Sequence, residues 1–362
     1  MFFIFFLLLM LGGLIYALWH VWCILPFPKL WKWVVVAVIA ISFFGMFMIF
    51  GRGMEKMPLG LASAVYQIGT SMIFILLYLV MIFILLDILR LVHLLPSTYF
   101  HENWAATLSI TGFLIVIFAW GNIHYNNKVR VPMELSTDKP LAKDYKIVMM
   151  SDLHLGYHNR RAEFARWVDK VNAEHPDLIL IAGDIVDKSI RPLMEENVAE
   201  EFHRLEAPVY ACLGNHEFFS SKPKAKEFMA AAGIHLLQDS CVSIDSCIYL
   251  IGRDDRMNPS RKTLKDLLAN APKNQYTIVL DHQPYHLEET AECGIDFQLS
   301  GHTHRGQVWP ISWITDALYE CSWGPYQRDH THYYISSGIG LWGGKFRIGT
   351  QSEYVVATLK RE

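Results

Sequence analysis

The stretch Ile147-Val148-Met149-Met150-Ser151-Asp152-Leu153-His154-Leu155-Gly156 decides how the chain is read. An apolar run, Ile147 to Met150, stops abruptly at Ser151, Asp152 and His154. That is the pattern of a buried strand delivering polar side chains to the edge of a sheet. Asp152 and His154 stand two apart, so on extended backbone they point the same way and can share one ion. An Asp-x-His alone is common. Its weight comes from four further polar clusters in the chain.

The same ending recurs downstream. Leu178 to Ala182 reads as a second strand and gives way to Gly183-Asp184, with Asp187 close behind. Pro208 to Leu213 ends in Gly214-Asn215-His216-Glu217, Thr277 to Leu280 in Asp281-His282, and Phe297 to Leu299 leads to Gly301-His302-Thr303-His304. Between them lie an amphipathic helix over Arg160 to Glu174, with Phe164, Trp167, Val168 and Val171 inward, and further helices at 195–206, 225–232 and 261–268. Short strands are expected at 242–246 and 248–251. Sites on α/β sheets form where strand ends converge, and five such ends carry Asp, Asn or His. Mixed nitrogen and oxygen donors suit Mn, Fe or Zn better than Ca. His216 can stabilise developing charge or protonate a leaving oxygen. Asp187 reads either as an orienting partner, as a bond to the Asp184 turn or as a direct metal contact, Glu217 as a supporting or turn residue, and Ser151 as a loop cap. His158, His175, His203 and His235 have no partner pattern and read as surface or locally bonded residues.

Taken together, these motifs resemble the calcineurin-like metallophosphoesterases across residues 147–362. The resemblance implies an α/β domain built as a four-layer α/β/β/α sandwich. It implies one metal held by Asp152, His154, Asp184 and His304, and a second held by Asp184, Asn215, His282 and His302. His216 would be the outer imidazole facing the scissile phosphate. Two divalent ions are expected, manganese first, with iron, zinc or magnesium as alternatives; such a pair can share an activated hydroxide and neutralise phosphate oxygens. Tyr333 to Gly340, Glu353 to Leu359 and the run from Gly301 to Gln307 are similar to the membrane-linked and exported branch of that superfamily. Arg305 departs from it, standing where those relatives often carry glycine. Its guanidinium either holds a phosphate oxygen or points outward to pair with an acid.

The first third has another character. Of 362 residues 52% are hydrophobic, mean hydropathy is +0.22, and nearly all the excess lies before residue 125. Phe2 to Leu25, Val34 to Phe50, Gly69 to Leu86 and Ala105 to Ile123 read as four membrane spans, each near the length a bilayer requires. Trp31, Lys32 and Trp33 look like interfacial anchors, and Asp87 and Arg90 stand at helix ion-pair spacing. Thr107, Ser109 and Thr111 are tolerable if their hydroxyls bond backbone. The expected organisation is a four-helix transmembrane region over 1–125, a connector over 126–146 and a catalytic domain over 147–362. Four spans put both termini on one side. Basic residues, among them Arg52, Lys56, Lys128 and Arg130, lean that side toward the cytoplasm of a bacterial inner or cell membrane. No span carries the chain of buried charges of a transporter, so the helices read as an anchor, with a lipid-holding bundle as an addition. The net charge of −3 lacks the basic footprint of a nucleic-acid polymer binder. The six cysteines have no metal-site spacing and read as mostly reduced, although Cys241 and Cys247 are near enough in sequence to pair.

An aromatic-rich insertion between Gln307 and Arg328 includes Trp309, Trp313, Tyr319, Trp323 and Tyr326. Ile311, Ile314 and Leu318 share one helical side, set to rest either on lipid or on the domain's own core. Phe218 and Phe219, after His216, are contacts for an acyl chain or for the core. The expected function is hydrolysis of a phosphodiester, phosphomonoester or pyrophosphate bond in a phospholipid or lipid-linked phosphate. Two rivals are a membrane scaffold or transporter with a phosphate-sensing domain, and a phosphodiesterase acting on a soluble cyclic or linear nucleotide. Oligomeric state is not legible.

Overall fold

The computed structural model describes residues 2–45, 47–48 and 53–362. The chain divides into two compact units, Met1–Ile123 with Gly343–Phe346, and His124–Trp342 with Arg347–Glu362.

The first unit is helical: α1 (Phe2–Ile24), α2 (Lys29–Gly45), α3 (Leu59–Leu91) and most of α4 (Trp104–Asn126). Three of these helices, not the four expected, are long and apolar enough to cross a membrane: α1 from Leu7, α3 and α4. The exception is α2, which begins at Lys29 and has 17 residues. At about 1.5 Å per residue its described part rises about 25 Å. Part of the expected second span (Met46, Ile49 and Phe50) and the Gly51-Arg52 turn fall outside the described residues. The parity argument for orientation, which needed an even number of spans, loses its premise. Leu8, Leu9 and Ile15 of α1 and Leu108, Phe113, Ile115, Val116 and Ile123 of α4 are exposed, an arrangement that suits lipid rather than water. Asp87 does not pair with Arg90. Its carboxylate accepts from Tyr16 (2.6 Å) and meets His20 (3.0 Å), both on α1, while Arg90 stacks on Phe100. Thr107 and Ser109 return their hydroxyls to the carbonyls of Asn103 and Ala106, as a helix in lipid requires. Phe346 packs against the rings of Phe74 and Phe118, and Asn122 bonds the Lys345 carbonyl.

The second unit contains two six-stranded sheets. The strands are β1 (Lys128–Thr137), β2 (Tyr145–Met150), β3 (Leu178–Ala182), β4 (Val209–Cys212), β5 (His235–Leu236), β6 (Ser240–Ile244), β7 (Ile248–Gly252), β8 (Tyr276–Leu280), β9 (Phe297–Ser300), β10 (Gly324–Arg328), β11 (Thr331–Ile335) and β12 (Ser352–Arg361). The helices are α5 (Arg161–Asn172), α6 (Arg191–Glu195), α7 (Ala199–Phe202), α8 (Asn215–Ser220), α9 (Lys222–Ala231), α10 (Leu264–Leu268), α11 (Leu287–Glu292) and α12 (Ile311–Leu318). One sheet runs β1-β12-β2-β3-β4-β5 and the other β10-β11-β9-β8-β7-β6. The segment 126–146, expected as a connector, supplies β1, which pairs in parallel with β12. The helix expected over 195–206 is broken into α6 and α7.

Alternation along the strands builds the layers. Val148, Met150, Ile179, Ile181, Val209 and Ala211 face a core shared with Phe164, Trp167, Phe202 and Phe228 of α5, α7 and α9. Their neighbours Ile147, Met149, Leu178, Leu180 and Cys212 join Ile248, Leu250, Ile278, Leu280 and Leu299 of the other sheet in a second core. Tyr249, Ile251 and Val279 then cover Leu264 and Leu267 of α10. β2, β3 and β4 are parallel neighbours, so their C-terminal ends open on one edge. β8 and β9 are likewise parallel.

Candidate metal centre

The strand ends meet. After β2, Asp152 and His154 both turn with positive φ, 54° and 45°; Asp184 after β3 (52°), and His302 and His304 after β9 (72° and 47°), do the same. Left-handed backbone is costly for histidine and is held only where its surroundings over-determine it. The motif glycines allow this crowding. A Cβ on Gly214 would lie 2.2 Å from Asp184 Oδ1, and one on Gly301 2.3 Å from Asp152 Oδ2.

Three overlapping sets of side chains present ligand atoms close enough to hold an ion: Asp152, His154 and His304; His154, Asp184 and His216; and Asp184, His282 and His302. Asp184 Oδ2 lies 3.1 Å from His282 Nε2 and 3.7 Å from His154 Nε2, between the two ends of the cluster. Asp152 Oδ1 is 3.5 Å from His304 Nε2 and 3.8 Å from His154 Nε2. Asn215 adds an amide oxygen 2.9 Å from His302 Nδ1 and 3.2 Å from His282 Nε2. All seven residues expected as ligands are therefore brought together, around the shared Asp184.

The donors fit divalent cations. His154 Nε2 and His304 Nε2 face each other at 3.1 Å, flanked by the Asp152 carboxylate, a concentration of lone pairs and negative charge that a cation satisfies. Protein charge is forced to do the same work. Burial opposes charge on His154, yet Asp152 and Asp187 lift it to about 10. Burial would push Asp184 up, but His282 and His216 hold its carboxyl well below the usual range. Burial, then the His282 charge, takes His302 down to about 4, and burial takes His304 to about 3.

A supporting layer fixes these ligands. Asp187 places Oδ1 2.9 Å from His216 Nδ1 and 3.3 Å from His154 Nδ1, which matches an orienting role. Glu217 is buried and accepts the backbone N–H groups of Gly214 (2.7 Å), Val186 (2.9 Å) and Asp184 (3.2 Å), pinning the β3 and β4 ends together. His282 Nδ1 donates to the Ala182 carbonyl at 2.7 Å, leaving Nε2 for the cluster. Ser151, expected as a cap, bonds the Asp152 carboxylate. Arg305 stacks its guanidinium 4.2 Å above the Trp323 ring.

Sequence reading missed Arg347. It is fully buried and donates to the carbonyls of His304 (2.7 Å), Ser337, Gly338 (3.1 Å) and Gly340 (3.4 Å), gathering the two loops beside the first ligand group. No local pattern marks it: a lone arginine in Gly343-Gly344-Lys345-Phe346-Arg347 has no spacing to read. Among the four histidines set aside, His158 is buried rather than at the surface. All six cysteines are free.

Calcineurin-like phosphoesterase is the family whose sequence pattern matches, over residues 145–306, a span that contains every candidate ligand. An uncharacterized metallophosphoesterase of Campylobacter jejuni is 29% identical over 245 residues, 65% of this chain and 65% of that protein. A transmembrane protein with metallophosphoesterase domain from Danio rerio is 27% identical over 259 residues, covering 65% of this chain and 59% of its own length. The chain thus spans less than two thirds of these two relatives. An uncharacterized metallophosphoesterase of Aquifex aeolicus is 30% identical over 238 residues, 62% of this chain but 89% of that protein. With its ligand-bearing strand ends inside the matched region and the Aquifex protein covered almost throughout, the chain belongs to the calcineurin-like metallophosphoesterase family.

Proposed function

We propose that the chain is a membrane-anchored, metal-dependent phosphoesterase that cleaves a phosphoric ester or pyrophosphate bond in a lipid or lipid-linked substrate. The observation that carries the reaction class is the convergence of seven residues with oxygen and nitrogen donors on overlapping ion-sized groups, with Asp184 between their two ends. Asp152, His154, Asp184 and His304 would hold one divalent ion, manganese first, and Asp184, Asn215, His282 and His302 the other. Such a pair supplies Lewis acidity and an activated water. The protein's own part is positioning. Asp187, with Oδ1 2.9 Å from His216 Nδ1, orients the imidazole, which leaves Nε2 to exchange a proton with the substrate. Arg305, stacked on Trp323, is set to take a phosphate oxygen.

Lipid is favoured by apolar surface near the site. Gly306, two residues after His304, packs against the backbone of Ile311 and Ser312 and seats α12 beside the ligands. On that short helix Trp313 and Leu318 are 65% and 71% exposed, and Ile314 is exposed as well. Phe219, also exposed, lies 5.5 Å from the His216 ring. Among the described residues, three helices are fit to cross a bilayer.

The test is turnover by the full chain in detergent with manganese, on p-nitrophenyl phosphate, bis-p-nitrophenyl phosphate, phosphatidic acid and a prenyl pyrophosphate. The expected result is cleavage with a preference for a lipid, and a fall of at least about a hundredfold in kcat for His216→Ala. Equal, residual rates for wild type and His216→Ala would reject hydrolysis. A preference for the soluble diester would reject the lipid substrate.

A further inference from the structure

A second stacked arginine stands apart from the ligands. Arg256 follows β7, in the loop Arg253-Asp254-Asp255-Arg256, and lays its guanidinium 4.3 Å above the ring of Tyr285. Tyr285 in turn donates its hydroxyl to that of Tyr319 at 2.9 Å, with ring centroids 4.9 Å apart. The Tyr319 ring lies 6.4 Å from that of His302. A continuous wall therefore runs from the second ligand group through two tyrosines to an arginine.

The wall is built, not incidental. Gln283, next to the ligand His282, gives its amide to both carboxylate oxygens of Asp255 at 2.9 Å. Arg253 and Arg261 both hold the buried Asp281, at 3.0 and 3.1 Å. Lys222, Gln238 and Asn258 converge on Asp254. The loop that carries Arg256 is thus locked to the strand end that delivers His282. Beyond that stack, its Nη1 is a buried atom with no hydrogen-bond partner among the described residues. A buried donor left unsatisfied costs free energy, and a guanidinium held flat on an aromatic ring presents its edge as a fork for anions. The Tyr319 hydroxyl, having accepted from Tyr285, keeps its own proton to donate.

We propose that Arg256, backed by Tyr285 and Tyr319, is a recognition subsite for a second anionic group of the substrate, lying beyond the scissile phosphate on the His302 side. This rests on the phosphoesterase reading. It narrows the substrate class to molecules with two anionic groups, such as pyrophosphates or phosphates with a further phosphate or carboxylate. Arg256 is a specificity residue and takes no part in bond cleavage.

The experiment measures binding, so that it survives failure of the hydrolase reading. Full-length protein in detergent, loaded with manganese, is titrated calorimetrically with methylphosphonate, with α,ω-bisphosphonates of one to four methylenes, and with the corresponding phosphonocarboxylates. Wild type should bind at least one two-headed probe at least about tenfold more tightly than methylphosphonate. Arg256→Ala should collapse that preference and Arg256→Lys should restore part of it; because chelation of manganese is common to all variants, the difference between them is the readout. The bisphosphonate and phosphonocarboxylate arms say which second anion is taken. No preference in wild type, or the same preference in Arg256→Ala with an unchanged thermal transition, would overturn the proposal. A preference that depends on Arg256 in a protein that turns nothing over would keep the subsite and reject the enzyme.

Discussion

Asp184 lies between the two ends of the candidate cluster, 3.7 Å from His154 Nε2 and 3.1 Å from His282 Nε2. Asp184→Asn removes a charge while keeping the shape. Bound manganese, measured by plasma emission after gel filtration, should fall below one ion per chain, and turnover by at least about a hundredfold. Gly301 makes a subtler case. An added methyl would stand 2.3 Å from Asp152 Oδ2 and 2.6 Å from Ser151 Cβ, with nowhere to go. Gly301→Ala should weaken manganese binding about 10- to 100-fold by displacing Asp152, read by titration of metal-stripped protein; unchanged affinity would mean that the crowding relaxes freely. At this scale the sequence was legible wherever a ligand ended a strand. Asp152, Asp184, Asn215, His282 and His302 each follow an apolar run, so periodicity points at them. Arg347 and Arg256 follow no such rule, because their positions depend on loops meeting in space.

Among the elements, the loop after β7 shows how a polar network turns into stability. Burial raises the Asp254 carboxyl, but bonds from Lys222, Gln238 and Asn258 outweigh it, and its pKa is lowered. A carboxylate depressed in the folded state stabilises above its unfolded value of about 4, and that contribution is lost as pH falls through the folded value. At pH 7 Asp254→Asn should therefore unfold several degrees below wild type, and the gap should close as pH drops below about 4. A gap independent of pH would assign the loss to packing instead. β1 shows the opposite kind of legibility. Lys128-Val129-Arg130-Val131-Pro132-Met133-Glu134-Leu135 alternates as a strand should, but Pro132 and Pro140 argued for a connector. Proline is tolerated on an edge strand, and β1 is one, paired among the described strands with β12. The second span failed for a related reason. Hydrophobicity alone marked Val34 onward, whereas the described helix starts at Lys29, with the buried Lys32 donating to Glu102 at 2.9 Å.

For the molecule as a whole, a concentration of buried carboxylate and imidazole should make stability metal-dependent. Two sites, each filled at about a hundred times its dissociation constant, would add about 5 kcal/mol to the folded state. Chelation should lower the thermal transition of the full chain in detergent by about 10 °C or more, and manganese should restore it. A transition indifferent to chelator would mean that the ligands hold one another without an ion. The order of the first sheet carries one more consequence. β12 lies between β1 and β2, so the strand made after every other described strand joins the two made before them. While a ribosome is still adding residues 138 to 351, β1 waits with no neighbour, and only the emergence of residues 352–361 closes the sheet. A nascent chain stalled before that point would hold every candidate ligand and still lack the strand that joins its first β-segment to the rest.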